Sequence, residues 1–309
     1  MQVIKENKAF DSPREKTMTF FSRGDLYFPR DVHLSFVCGA SDPIREEAPK
    51  FRRRFLDWAQ ANEPKLVCVR AENAVTDLLR QVDERHAAND LGVIENVIAE
   101  TVDSLLIFPE SPGSFAELGL FSANEAICEK MLVALLVEHQ GDSFITLGPV
   151  KHISVKSSYP NPIILSEPYD AVFRQIADRL LGEMKTKRSY RRRYSLKQWR
   201  EYTKREKLAI LDCIFDLIGI CTEEDLFDLI LKRFGSYEVS ELRLLTALLA
   251  ALGRISLTDD ADIVRLSSAW PLSFIEGAAD ETTELRARWN DAYRVHLPEA
   301  IEEVSRRNQ

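Results

Sequence analysis

The segment Phe108–Phe121, FPESPGSFAELGLF, holds the residues best suited to chemistry. Glu117 lies three residues after Ser114 at the start of a predicted helix, with Pro109, Pro112 and Gly113 shaping the approach. Gly113 permits close backbone approach, and Ser114 can cap the helix. One reading of Ser114-x-x-Glu117 is a capping box, with the glutamate bonded back to the cap N–H. The other makes Glu117 a reactive carboxylate, a nucleophile or a stabiliser of positive charge. Gly39-Ala40-Ser41-Asp42 is a second loop of small residues before a helix, so backbone N–H groups at both loops can face an anion. Neither loop is GxGxxG or GxxxxGK[ST], which disfavours nicotinamide redox chemistry and P-loop ATPase chemistry.

Other reactive residue types give weaker signals. His33, His86, His139, His152 and His296 lack metal-ligand spacing with one another or with cysteine, so no metal is expected. Cys38, Cys68, Cys128, Cys213 and Cys221 sit in apolar surroundings without CxxC spacing, as reduced core thiols of a cytoplasmic protein would. Cys38 is close to the candidate pocket, but no neighbouring base activates it. Glu72 could touch a ribose hydroxyl, although a solvated loop carboxylate is the more ordinary reading. Asp103 is expected to cap or turn.

These loops need a frame. Apolar runs at Leu34–Cys38, Leu66–Val69, Ser104–Phe108 and Met131–Val137 predict strands, with Phe144–Leu147 and Ile163–Leu165 as further candidates. Helical spacing covers 46–61, 91–101, a helix from the Ser111–Glu117 loop through Ile127, and 171–183. Near-continuous apolar strands between amphipathic helices indicate a Rossmann-like or flavodoxin-like parallel sheet covered on both faces. Ligands of such sheets bind beyond the carboxyl ends of the strands, where both loops fall. The expected organisation is an N-terminal arm over 1–32, a catalytic α/β domain over 33–184, a basic linker over 185–203 and a helical domain over 204–309.

With 309 residues, 45% hydrophobic and 29% charged, the chain is an ordinary globular composition with room for two domains. No apolar run reaches membrane-span length, and the first ten residues lack an apolar signal core. The net charge is −8, yet Lys185–Lys207 holds eleven basic and two acidic residues. Lys185, Lys187, Arg188, Arg191, Arg192, Arg193, Lys197 and Arg200 suit a nucleic-acid phosphate backbone, with Tyr190, Tyr194, Trp199 and Tyr202 available to stack on bases. The plainer reading is a solvated linker running into a basic helix. Beyond it, 204–220, 223–234 and 240–253 read as helices, followed by the short apolar Ile255–Leu257. That order suggests a winged helix-turn-helix-like, all-α domain; the alternative is a helical bundle for protein contacts. The third helix is too apolar for a base reader, so backbone and shape contacts are expected. A charged helix with Trp289 and Tyr293 as anchors covers about 281–307.

The strand, the small residues with Pro and Gly, and Ser-x-x-Glu-Leu-Gly resemble the nucleoside 2-deoxyribosyltransferase family over roughly 33–183. The resemblance implies that Glu117 is the nucleophile at the anomeric carbon, with Glu95 as a second acidic position. Gly39, Ala40 and Ser41 match the family's first turn. The family's aspartate falls on Ser111, beside Glu110, so the usual acid for the leaving base is replaced. The loop also resembles PGGxGTxxE of nucleotide-cleaving phosphoribohydrolases. The whole layout, with FPESPGSFAELGLFS as its strongest point, is similar to deoxyribosyltransferase-like effectors of bacterial retrons. That resemblance implies an antiphage toxin held by a reverse transcriptase and its branched RNA–DNA product (msDNA), oligomeric within the complex. Its action would be on an N-glycosidic bond, of NAD+ or of another nucleotide, with no cofactor. Substrate phosphates would rest on Gly39, Ala40, Ser41, Ser111, Gly113 and Ser114. The opposing reading is a non-catalytic nucleic-acid-binding regulator that senses a nucleotide.

Overall fold

The computed structural model describes residues 4–29, 32–41, 50–70, 91–186, 192–258, 262–266 and 275–308, with 91–94 and 183–186 as backbone only. They form two compact units, one within residues 30–190 and the other uniting 4–29 with 192–308.

The first unit is a parallel sheet. Its strands are β1 (His33–Cys38), β2 (Leu66–Val69), β3 (Ser104–Ile107), β4 (Met131–Leu136) and β5 (Ile163–Leu165). Its principal helices are α1 (Phe51–Asn62), α2 (Leu91–Thr101), α3 (Pro112–Ser122) and α4 (Tyr169–Thr186). The order β2-β1-β3-β4-β5 is parallel throughout. Every residue of β1 and β3 is buried, as continuous apolar runs demand in a sheet covered on both faces. Side chains alternate across the sheet. Val37, Leu106 and Phe108 share a core with Phe55 of α1 and Phe173 of α4. Phe36 turns the other way and packs on Phe121 of α3, ring centroids 6.1 Å apart. Cys38 shares that second face by its spacing from Phe36.

The strand order reverses between β1 and β3, the switch point of a doubly wound sheet. Cys38 pairs with Ile107 there, and Phe108 N–H donates to Cys38 O at 2.9 Å. Two sequence expectations change in this unit. Phe144–Leu147 is not a strand: Thr146–Val150 is a wide helical turn, with Phe144 lying over Gly148. The helix after β3 stops at Ser122, and Asn124 caps a separate turn, Glu125–Cys128.

The second unit begins with residues expected as an irregular arm. Asp11–Phe20 is instead a helix, with Phe10, Phe20 and Phe21 buried and Thr17 Oγ1 accepting from Trp289 Nε1 at 2.9 Å. Tyr27–Phe28 pairs antiparallel with Arg192–Arg193, so part of the expected linker is strand. Helices Lys204–Ile218, Glu223–Phe234 and Val239–Ala251 follow. Thr203 and Thr222 cap the first two through reciprocal boxes with Glu206 and Asp225. A three-stranded antiparallel sheet, in the order Ile220–Cys221, Ile263–Arg265, Ile255–Leu257, closes this part. The expected single C-terminal helix is two, Ala279–His296 and Pro298–Arg307, because Pro298 cannot continue the ladder of the first. Among the described residues, no helix is long and apolar enough to cross a membrane.

Candidate active site

β1 ends in Cys38, and the two predicted carboxylates come to it. Cys38 is fully buried, and Glu117 of α3, Glu95 of α2 and Arg52 of α1 all act on its thiol electrostatically. Cys38 also shares a side-chain hydrogen bond with Glu117. Burial pushes the thiol well above its ordinary range, the charges of Glu117 and Glu95 push it further, and Arg52 pulls the other way. Cys38 is therefore a neutral neighbour of Glu117 rather than a thiolate nucleophile. Its labelling by iodoacetamide, followed by peptide mass spectrometry, is expected to keep rising with pH beyond 9 with no plateau.

Glu95 and Arg52 are buried, and Glu117 is half-buried, with its Oε2 shut off from solvent. The site thus sets two acidic side chains and one arginine around the end of β1. A glutamate in its carboxylate form could attack or stabilise a cationic centre. Arg52 was not singled out in the sequence. It sits in Phe51-Arg52-Arg53-Arg54, within the helix predicted over 46–61.

The helix start differs from the expected arrangement. Ser111, not Ser114, is the N-cap of α3: its Oγ accepts from Ser114 N–H at 3.2 Å. Ser114 Oγ in turn accepts from Ser111 N–H at 2.9 Å and Glu110 N–H at 3.0 Å. The capping box lies three residues upstream of the Ser114–Glu117 pairing, so Glu117 has no capping task. Gly113 is exposed at the helix start, and a Cβ there would meet only Ser111 Oγ, at 3.9 Å.

Ser41 is exposed, whereas Gly39 and Ala40 are held tightly. Ala40 N–H donates to Glu110 Oε1 at 3.2 Å. That amide is committed to a side chain and does not stand open for phosphate. Glu72 lies outside the described residues. Asp103 does fasten a strand: its Oδ2 accepts from Leu34 N–H at 2.8 Å.

The basic segment divides. Lys187, Arg188 and Arg191 lie outside the described residues, and Lys185 is described as helix backbone only. Arg192 pairs with Glu206 at 2.6 Å, and Arg193 Nε donates to Gly24 O at 2.6 Å. Lys197 is half-buried beside the Tyr202 ring, and Arg200 is exposed. Tyr190 lies outside the described residues, and the other three expected stacking rings are not available. Tyr194, Trp199 and Tyr202 are 1%, 1% and 4% exposed, packed with Phe21 and Phe234. Burial of their large apolar area outweighs exposure, and Tyr202 Oη is satisfied by Lys197 N–H at 2.9 Å.

A doubly wound parallel sheet in one unit and a largely helical second unit describe the class of this protein. The chain belongs to the STM3845 retron effector protein family, whose model matches residues 48–257. It is 48% identical over 152 residues to an Escherichia coli protein of retron Ec86, named for ribosyltransferase and DNA-binding roles. A similarly named Escherichia coli protein of retron Ec73 is 26% identical over 141 residues. These matches cover 47% and 45% of this chain, and the chain spans just under half of each relative, 46% and 44%.

Proposed function

We propose that this retron effector is an N-glycosidase of the deoxyribosyltransferase-like type, cleaving the C1′–N bond of a nucleotide, with NAD+ as substrate. The observation that supports this reading is the place of Glu117 on α3, the helix that leaves the carboxyl end of β3 at the switch point, with its charge felt at Cys38. The ribosyltransferase names of the two relatives support it.

Bond cleavage passes through an oxocarbenium-like state at C1′. Glu117 would form a C1′–O bond as the C1′–N bond breaks, the bonding pair leaving with the nicotinamide nitrogen. Water then attacks C1′ as the C1′–O bond to Glu117 breaks and its electron pair returns to the carboxylate, giving ADP-ribose; Glu95 would take the water's proton. Nicotinamide leaves from a cationic state and needs no acid. That suits a site where the family's aspartate is Ser111, whose hydroxyl serves the helix cap. A neutral nucleoside would need the missing acid.

The test is chromatography of nucleotides after incubation of the protein, alone and with its retron complex, with NAD+, deoxynucleotides and nucleosides. Nicotinamide release would support the proposal. Release of another base would keep the mechanism and change the substrate. No release in either setting would sink it.

The proposal extends to the second unit as a winged helix that docks on msDNA held by reverse transcriptase. Its order of helix, strand, two helices and two strands, with the three-stranded sheet, supports this. Arg243 of the third helix is bound bidentately by Glu223, both contacts 2.7 Å, so that helix offers little charge for reading bases. Phosphate contact then falls to the basic segment. Replacing Lys197 and Arg200 by alanine should lower the slope of log affinity against log salt by about 2, without changing sequence preference. Fluorescence anisotropy at several salt concentrations measures both.

A further inference from the structure

We infer that Glu110 is a positioning residue that holds the mouth of the carboxylate site in shape; the inference rests on the reading of that site proposed above. The start of α1 has no cap of its own, because Lys50 at its N-cap makes no side-chain bond. The first N–H groups of a helix need acceptors. Glu110 supplies them from the other side of the switch point. Its Oε2 accepts from Phe51 N–H at 2.8 Å, and its Oε1 from Arg52 N–H at 3.1 Å. The same Oε1 accepts from Ala40 N–H at 3.2 Å. Glu110's own N–H donates to Ser114 Oγ at 3.0 Å, which fastens it to the start of α3.

One carboxylate therefore joins three pieces of backbone: the turn after β1, the start of α1 and the start of α3. Those pieces carry Cys38, Arg52 and Glu117. Gly39 shows how closely they meet, since a Cβ there would stand 2.7 Å from Arg52 Cβ and 3.0 Å from Glu110 Oε1. The positive end of the α1 dipole favours an anion in this seat. A substrate phosphate would be drawn to the same amides. With Glu110 seated, this position is closed to it, and the site is left to the sugar and the base.

Cys38 is the reporter, because it lies at the centre of the arrangement. In Glu110→Ala, Cys38 should react with iodoacetamide roughly tenfold faster than in the native chain, through easier local opening. Cys128, Cys213 and Cys221 should keep their native rates. Formate, small enough for the emptied seat, should return Cys38 toward the native rate, where chloride of equal ionic strength does not. Glu110→Gln, which retains one acceptor oxygen, should fall between. Where glycosidase activity is measurable, turnover should fall in Glu110→Ala and recover with formate. Unchanged Cys38 labelling in both variants would overturn the inference. So would an equal rise at all four cysteines in both variants, which marks general unfolding. A native protein without glycosidase activity would remove the proposed chemistry, while the labelling pattern would still decide the role of Glu110.

Discussion

Replacing Glu117 by glutamine is expected to lower nucleotide cleavage by three orders of magnitude or more and to abolish effector toxicity, with the fold intact. The size of the effect follows from the task. A carboxylate that bonds to C1′ acts only near the transition state, and losing such a group costs on the order of 10³-fold or more in rate. Glutamine has the shape of glutamate but is a far poorer nucleophile. The competing explanation for a glutamate at this spacing is helix capping, and it makes a different prediction. A lost cap costs about 1 kcal/mol and leaves chemistry alone. The capping task belongs to Ser111 and Ser114, so the substitution should leave the melting temperature near its native value. Full toxicity in Glu117→Gln would refute the nucleophile assignment. A collapsed melting temperature would return Glu117 to a structural role.

Much of the sheet was legible because buried parallel strands are written as apolar runs. Leu66–Val69 and Ile163–Leu165 appear at the residues their hydrophobicity marks. What was not legible depends on distant partners. The helix Asp11–Phe20 is mostly polar, and it is anchored by Trp289, 272 residues away. Two-residue strands such as Tyr27–Phe28 carry no periodicity at all. The buried Tyr194, Trp199 and Tyr202 read as stacking rings because basic neighbours surround them in sequence, while Phe21 and Phe234 surround them in space.

The site shows the same division. Glu117 and Glu95 are marked in the sequence by family resemblance, and the charges of both act on the Cys38 thiol. Glu110 and Arg52 owe their places to packing across the switch point. Glu110 did carry one sequence signal: a carboxylate immediately before a Ser-Pro-Gly-Ser helix start, facing a Gly-Ala turn that can approach closely. The cap moved from Ser114 to Ser111 because Pro112 fits the first helical position, where no N–H is needed.

Asp212→Ala is expected to destabilise the helical unit by about 3–5 kcal/mol, the usual cost of stripping one partner from a buried ion pair. Asp212 lies buried on the helix Lys204–Ile218 and accepts two bonds from Arg254, each 2.8 Å, and one from Arg265 at 3.0 Å. Arg254 leads into Ile255–Leu257, and Arg265 ends Ile263–Arg265. One carboxylate thus fixes both strands of the hairpin to the helix. Arg254 is itself buried, and removing Asp212 takes away the carboxylate its guanidinium meets at 2.8 Å. Burial already works against the charge on Arg265, which Asp212 and Asp216 support. Arg288→Ala is the matching control. Its pair with Glu284 is exposed and one helical turn long, so its loss should cost under about 1 kcal/mol. Urea unfolding followed by the fluorescence of buried Trp199 and Trp289 reads both. Asp212→Ala should lower the urea midpoint well beyond Arg288→Ala. Equal shifts for the two variants would mean that the buried network contributes no more than a surface pair. Nucleic-acid binding should fail in Asp212→Ala and persist in Glu117→Gln, which would separate docking from chemistry along one chain.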